Sequence, residues 1–222
     1  MTNKNAVIVF AKLPEEGKVK TRLAQTTSAD FALNFYKECT EYLFNELRRL
    51  PRSTDVIIYH ANPGKENEVK DWVGYNFIYK TQGGNDLGEK MSNAFKECFE
   101  AGYTKVLIMG TDVPDLNFDY FRRAFSELEK YDVVISPSTD GGYNLLGQKK
   151  LHRFLYEQIE WSTPSVLAET IFRLESNERT YTNLNQLIDI DTEDDLKNWL
   201  LISSTHPIYK KIKNKYESLS NE

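Results

Sequence analysis

In this 222-residue chain, acidic and basic side chains stand just beyond short apolar runs, where a sheet would end and a ligand could begin. Asp112 follows Lys105-Val106-Leu107-Ile108-Met109-Gly110-Thr111. That aliphatic run predicts a buried strand, and Gly110 lets the backbone turn at its end. Ligands of open α/β sheets bind beyond the carboxyl ends of the strands, so a carboxylate there is placed to hold a cation. The plainer role for Asp112 is to cap a helix, but Asp115 or Asn117 could do that and leave Asp112 free. Asp189 and Asp191 end a second apolar run, Leu187 to Ile190. On a strand, a spacing of two points both carboxylates to one side, where they either chelate a divalent ion or repel each other. Asp191 or Thr192 could instead cap the helix that Glu193, Asp194 and Asp195 open.

The matching cations lie near the N-terminus. Ala6 to Ala11 predicts a first buried strand, and the next eleven positions hold Lys12, Lys18, Lys20 and Arg22 together with Pro14 and Gly17. Gly17 can turn backbone N–H groups toward an anion, and Arg22 offers a two-pronged guanidinium. A solvated loop neutralised by Glu15 and Glu16 is the bland alternative. Position favours phosphate, because the first strand-to-helix turn of a nucleotide-binding sheet is where phosphates sit. The loop is neither a Walker A sequence nor GxGxxG. Gly83 and Gly84, in Gln82-Gly83-Gly84-Asn85-Asp86 before a helix, would admit a base or ribose close to the backbone. Asp140, Gly141 and Gly142 fit a hairpin turn and equally an acceptor subsite, while Trp161 is mostly architecture that could face a pocket.

To position these residues the chain needs alternating strands and helices. Strands are expected over Asp55–His60, Asn76–Lys80 and Asp132–Ser136, and helices over Ser28–Leu50, Glu66–Val73, 90–101, Asn117–Lys130 and from Pro164 onward. The length fits one α/β domain with a core over about 5–202, a polar helix near 206–218 and a frayed end at Glu217–Glu222. With 28 Lys and Arg against 33 Asp and Glu, the net charge of −5 argues against broad phosphate neutralisation of nucleic acid. Cys39 and Cys98 lack metal spacing, and the three histidines, His60 among them, lack it too. The N-terminal apolar run is too short for a signal or a membrane span, which implies a cytoplasmic protein. The sequence leaves oligomeric state open.

FAKLPEEGKVKTRLA, QGGNDLGEKM, GTDVP, DGGYNLLG, WSTPSVLAET and DIDTEDDL occur in an order that resembles the bacterial GT-A-fold glycosyltransferases of the uncharacterised or arsenosugar-biosynthesis type. More distantly the chain resembles the phospholactate and molybdenum-cofactor guanylyltransferases. The resemblance covers residues 5 to 200. It implies a nucleotide-diphospho-sugar transferase fold, a three-layer αβα sandwich with a mostly parallel mixed sheet. It further implies that the first-strand loop, here Lys12, Gly17, Lys20 and Arg22, holds the nucleotide phosphates, and that Asp112, Asp189 and Asp191 hold a divalent metal, Mg or Mn. Asp112 and Lys20 are the expected catalytic residues, while Gly83 and Gly84 as nucleotide contacts and Asp140, Gly141, Gly142 and Trp161 as the acceptor side rest on the loop readings above. The usual aspartate pair of glycosyltransferases is absent around Asp112, where Thr111 precedes and Asp115 lies three beyond. Glycosyl transfer from a nucleotide-sugar to a small acceptor is the leading expectation. Nucleotidyl transfer from an NTP and nucleotide binding without turnover are the alternatives.

Overall fold

The β-branched and aliphatic runs pair into one seven-stranded sheet in the order β3-β2-β1-β4-β6-β5-β7. The strands are β1 (Lys4–Ala11), β2 (Thr54–His60), β3 (Ile78–Thr81), β4 (Tyr103–Met109), β5 (Val133–Pro137), β6 (Tyr143–Gln148) and β7 (Tyr181–Asn183). The structure is a computed structural model and describes residues 4–219, so the Ser220–Glu222 part of the expected frayed end lies outside the described residues. Only β6 runs against its neighbours: it is antiparallel to β4 and β5, while every other pairing is parallel. Six strands therefore end at the same edge, and so do the loops that follow them.

Helices cover both faces, giving the expected three-layer sandwich. They are α1 (Thr21–Thr26), α2 (Ala29–Leu47), α3 (Glu66–Val73), α4 (Leu87–Glu100), α5 (Phe118–Lys130), α6 (Val166–Ser176), α7 (Glu193–Ile202) and α8 (Tyr209–Ser218). Side chains alternate along each strand. Val7, Val9, Leu107 and Met109 thus meet Leu43 and Phe44 of α2, Val69 of α3 and Phe121 of α5. Ala6, Ile8, Val106 and Ile108 meet Met91 and Phe95 of α4 and Leu174 of α6 on the other face. A third apolar cluster lies apart from the sheet and joins Leu23 of α1, Phe31 and Phe35 of α2, Ile190, Leu196 and Trp199 of α7, and Ile212 of α8. No helix among the described residues is long and apolar enough to cross a membrane. Cys39 and Cys98 are buried free thiols.

Several expected elements are displaced. Residues 187–190 form no strand: Leu187 makes a single bridge to Ser138, and the edge strand is Tyr181–Asn183 instead. A polar three-residue strand bonded on one side carries too little apolar pattern to show in sequence. The short helix α1 inside the basic loop was not expected either. Helix α6 begins at Val166, two residues beyond the Pro164 expected to open it, and the Thr163 hydroxyl bonds the Glu160 carbonyl and the Ser165 hydroxyl. Of the cap candidates near the site, Asn117 serves rather than Asp115, and Thr192 rather than Asp191. Ser28 accepts from the Phe31 N–H, Asn117 from the Tyr120 N–H, and Thr192 forms a reciprocal capping box with Asp195. Asp112 and Asp191 are left free of capping duty.

Candidate active site

The loops after β1, β3, β4 and β5 all leave the same sheet edge, and the 187–191 segment joins them through its bridge at Ser138. At that edge Lys20 turns inward. Its side chain is 2% exposed, and Nζ lies 3.1 Å from Asp112 Oδ2, 3.2 Å from Asp189 Oδ1 and 2.9 Å from Asp191 Oδ1. The backbone of Lys20 is left-handed, with φ 46° and ψ 44°, and it directly precedes α1. Such a conformation costs a non-glycine residue about 1–2 kcal/mol, which the surrounding contacts must offset. The three carboxylates each contribute an oxygen to a group whose members lie within 4.8 Å of one another. Arg22 stands at the rim, 66% exposed, with Nη1 at 3.7 Å from Asp191 Oδ2.

The electrostatics follow from this crowding. Burial works against the Lys20 ammonium, but Asp112, Asp189 and Asp191 outweigh it and hold its pKa above the ordinary lysine value. Packing around Asp112 pushes its pKa up, but the charge and hydrogen bond of Lys20, then the Thr111 hydroxyl, bring it below the usual carboxylate range. Asp189 goes the other way. Burial, with Asp112 and Asp191 as like-charged neighbours, outweighs Lys20 and raises it to about 7. Three carboxylates share one buried ammonium, so the cluster keeps an excess of negative charge. Asp112 and Asp191 each leave 42% of the side chain exposed, so a ligand can reach them.

The third apolar cluster explains why these groups meet. Ile190 is fully buried in it, so the aspartates on either side turn the opposite way, toward Lys20. Local alternation persists although residues 187–191 pair with no strand. Leu23 anchors α1 in the same cluster and fixes Lys20 and Arg22 just ahead of it. Trp199 donates its indole N–H to Asp115 Oδ2 at 3.0 Å, and His206 Nε2 lies 3.1 Å from the Pro114 carbonyl oxygen, so α7 and the segment after it clamp the turn that carries Asp112.

Tyr36 completes the support, and sequence reasoning missed it. It looks like one more member of the apolar face of α2, but a buried phenol needs polar partners. Its hydroxyl donates to the Lys12 carbonyl at 2.9 Å and accepts from the Lys12 N–H at 3.2 Å. The Thr111 hydroxyl lies 3.0 Å from it and 3.1 Å from Asp112 Oδ1. The β1 and β4 loops are tied together through this one ring.

The other sequence candidates separate into two groups. The Lys12 side chain and Gly17 are exposed in the β1 loop, with Gly17 at φ +73° and nothing within 4 Å of where a Cβ would be. Lys18 is paired with Glu15, which also takes Lys65 at 2.8 Å, so part of the basic loop is neutralised internally. Gly83 accepts a bond from Asn93, and Gly84 packs where a Cβ would stand 2.7 Å from the Lys90 nitrogen. Asp140 accepts from the Gly142 N–H at 3.0 Å, closing the turn into β6. Gly141 has no room for a side chain, since a Cβ would meet the Pro164 carbonyl at 2.2 Å. Trp161 lies against Gly88 in the same way and stacks on Tyr156 at 6.5 Å. Gly141 and Trp161 thus have a packing role whatever else they do. His60 is 1% exposed, and both its ring nitrogens lack a partner.

Comparison with known proteins bears on the fold and the family. Over 183 residues, 80% of this chain and 77% of the relative, the chain is 25% identical to 2-phospho-L-lactate guanylyltransferase of Methanocaldococcus fervens. A crystal structure from Desulfovibrio desulfuricans G20, provisionally described as a nucleotide-diphospho-sugar transferase, superposes with a TM-score of 0.91 at 28% identity, covering 99% of this chain and 97% of that one. A Mycobacterium tuberculosis H37Rv protein in complex with manganese shares the fold at a TM-score of 0.53 and 14% identity, over 91% of this chain and 100% of its own. The fold is that of the nucleotide-diphospho-sugar transferases, and these relatives include transferases of nucleotides. A family model matches residues 44–163, just over half of the chain and including Asp112, so the chain belongs to the family described as uncharacterized protein conserved in bacteria (DUF2064).

Proposed function

We propose that the protein is a divalent-metal-dependent nucleotidyltransferase, joining the nucleoside monophosphate of an NTP to a small anionic acceptor and releasing pyrophosphate. The observation that carries this reading is the convergence of Asp112, Asp189 and Asp191 on Lys20 at the loop-bearing edge of the sheet. Three carboxylate oxygens from two distant segments, within 4.8 Å of one another, are the donor set that suits a hard cation such as Mg or Mn. When bound, such an ion neutralises charge on the phosphates and on the leaving group. Arg22 is placed to fork a phosphate from the rim, and Lys20 and Lys12 add charge beside it. The Gly17 turn presents backbone to the same anion. Gly83 and Gly84 lie on a neighbouring loop for the base or ribose, and Asp140, Gly142 and Trp161 border the acceptor side. Charge placement then does most of the catalytic work, and no histidine stands among these groups.

The guanylyltransferase relative favours nucleotidyl over glycosyl transfer, and its phosphorylated substrate motivates an anionic acceptor. Glycosyl transfer from an NDP-sugar is the second reading, favoured by the description of the Desulfovibrio structure. The leaving group separates them. Incubated with Mn, each NTP and a panel of phosphorylated hydroxy acids, the protein should release pyrophosphate in step with acceptor consumption. Release of a nucleoside diphosphate from an NDP-sugar, with no pyrophosphate from any NTP, would establish the glycosyl reading. An absence of both reactions alongside tight nucleotide binding would mark a binding module.

A further inference from the structure

The carboxylates that the proposed function gives to a metal are already bound to a cation of the protein's own. Lys20 Nζ lies within 3.2 Å of an oxygen from each of Asp112, Asp189 and Asp191, and its side chain is 2% exposed. A divalent ion bonds carboxylate oxygens at about 2.0–2.6 Å, so an ion serving these three groups would stand against the ammonium. The charges make the conflict plain. With all three carboxylates ionised, as a metal would require, they exceed Lys20 and the more distant Arg22 by one negative charge, and a dication added to that set would leave an uncompensated positive charge. A triphosphate supplies the missing anion. Lys20 also has somewhere to go, since its four-carbon stem springs from the loop directly ahead of α1, beside the exposed Arg22.

We propose that Lys20 is a built-in stand-in for the divalent ion, which enters only as the ammonium leaves the three carboxylates for a phosphate of the incoming nucleotide. The inference rests on the reading of Asp112, Asp189 and Asp191 as metal ligands. Its consequence is that the protein takes the metal and the nucleotide together as one complex and has little affinity for free metal. Lys20 serves in both states, first as counter-ion to the carboxylates and then as counter-ion to the phosphate.

Titrating Mn into wild type, Lys20→Met and Lys20→Gln, with and without a non-hydrolysable NTP analogue, tests this by calorimetry or by the loss of free-Mn electron paramagnetic resonance signal. Lys20→Gln keeps a donor for the carboxylates and guards against a Lys20→Met chain that folds poorly. Both variants should bind Mn alone at least tenfold more tightly than wild type. The analogue should raise wild-type Mn affinity at least tenfold and that of the variants by much less. Variants that bind Mn alone no more tightly than wild type, while wild type binds it with the analogue, would overturn the stand-in and leave the metal reading intact. Failure of every form to bind Mn under either condition would overturn both.

Discussion

At the scale of single residues, burial decides how each charge behaves. Lys20 stands out in sequence only as one of four basic side chains in a loop, and that loop position suggests an exposed phosphate contact. The structure buries it instead, so its removal costs stability as well as binding. Breaking a fully buried pair by deleting one partner costs about 3–5 kcal/mol; because Asp112 and Asp191 are each 42% exposed and partly screened, Lys20→Ala should lose less, on the order of 1–3 kcal/mol, in metal-free buffer. Arg22→Ala, at a 66% exposed site, should leave the unfolding free energy within about 0.5 kcal/mol of wild type while weakening nucleotide affinity. Equal stability of the two variants would contradict this account of Lys20. Away from the site, burial, with Lys150 and Arg179 nearby and Asp132 opposing them, pushes His152 down to about 4. Its folded pKa lies below the unfolded value near 6.5, so the unfolded chain takes up the proton first as the pH falls. The stability that neutral His152 contributes is present above about pH 6.5 and is lost on the way to about pH 4, on the order of 3 kcal/mol. Asp189, raised to about 7, has the opposite sign across the same window, so the contribution emerges as a difference between variants. His152→Leu should show a flatter fall in denaturant-derived stability from pH 7 to pH 4 than wild type, and parallel curves would count against the assignment.

At the scale of elements, the sequence displays what is repeated and hides what is short. Strands β1 to β5 and the long amphipathic helices were legible because many side chains obey one period, and Asn117 and Thr192 were legible as cap candidates because short polar side chains stand just ahead of helical patterns. The edge strand Tyr181–Asn183, the helix Thr21–Thr26 and the course of residues 187–191, joined to the sheet only by the Leu187 bridge, depend on tertiary contacts. Asp112, Asp189 and Asp191 could be named from their positions after apolar runs. Their meeting on Lys20 could not, because it is made by the third apolar cluster, whose members come from α1, α2, α7 and α8. Ile190 is the part of that cluster set between the two aspartates. Ile190→Ala should cost about 2–5 kcal/mol and, because it loosens both aspartates, should also lower Mn-dependent nucleotide affinity. Phe121→Ala, a comparable loss in the core beneath α5, should lower stability without that binding defect. Matching binding losses in the two variants would show that the cluster has no special hold on the site.

At the scale of the whole molecule, the doubly covered sheet sends the loops after β1, β3, β4 and β5 to one edge, and the third cluster folds the chain's last helices back against that edge. The chain carries a net charge of −5, yet it concentrates Lys12, Lys20 and Arg22 within eleven residues of one loop, set against three carboxylates. That polarity suits a small, multiply charged ligand bridged by a cation better than an extended polyanion. Under the proposed function, these groups form one site shared by a divalent ion and a nucleotide phosphate. A crystal grown with Mn and a non-hydrolysable NTP analogue, measured at the Mn absorption edge, tests it most directly. The expected result is an anomalous peak bonded to oxygens of Asp112, Asp189 and Asp191 and to the analogue, with Lys20 Nζ moved onto a phosphate. A nucleotide bound with no Mn at these carboxylates, or Mn bound elsewhere while Lys20 keeps all three ion pairs, would contradict it.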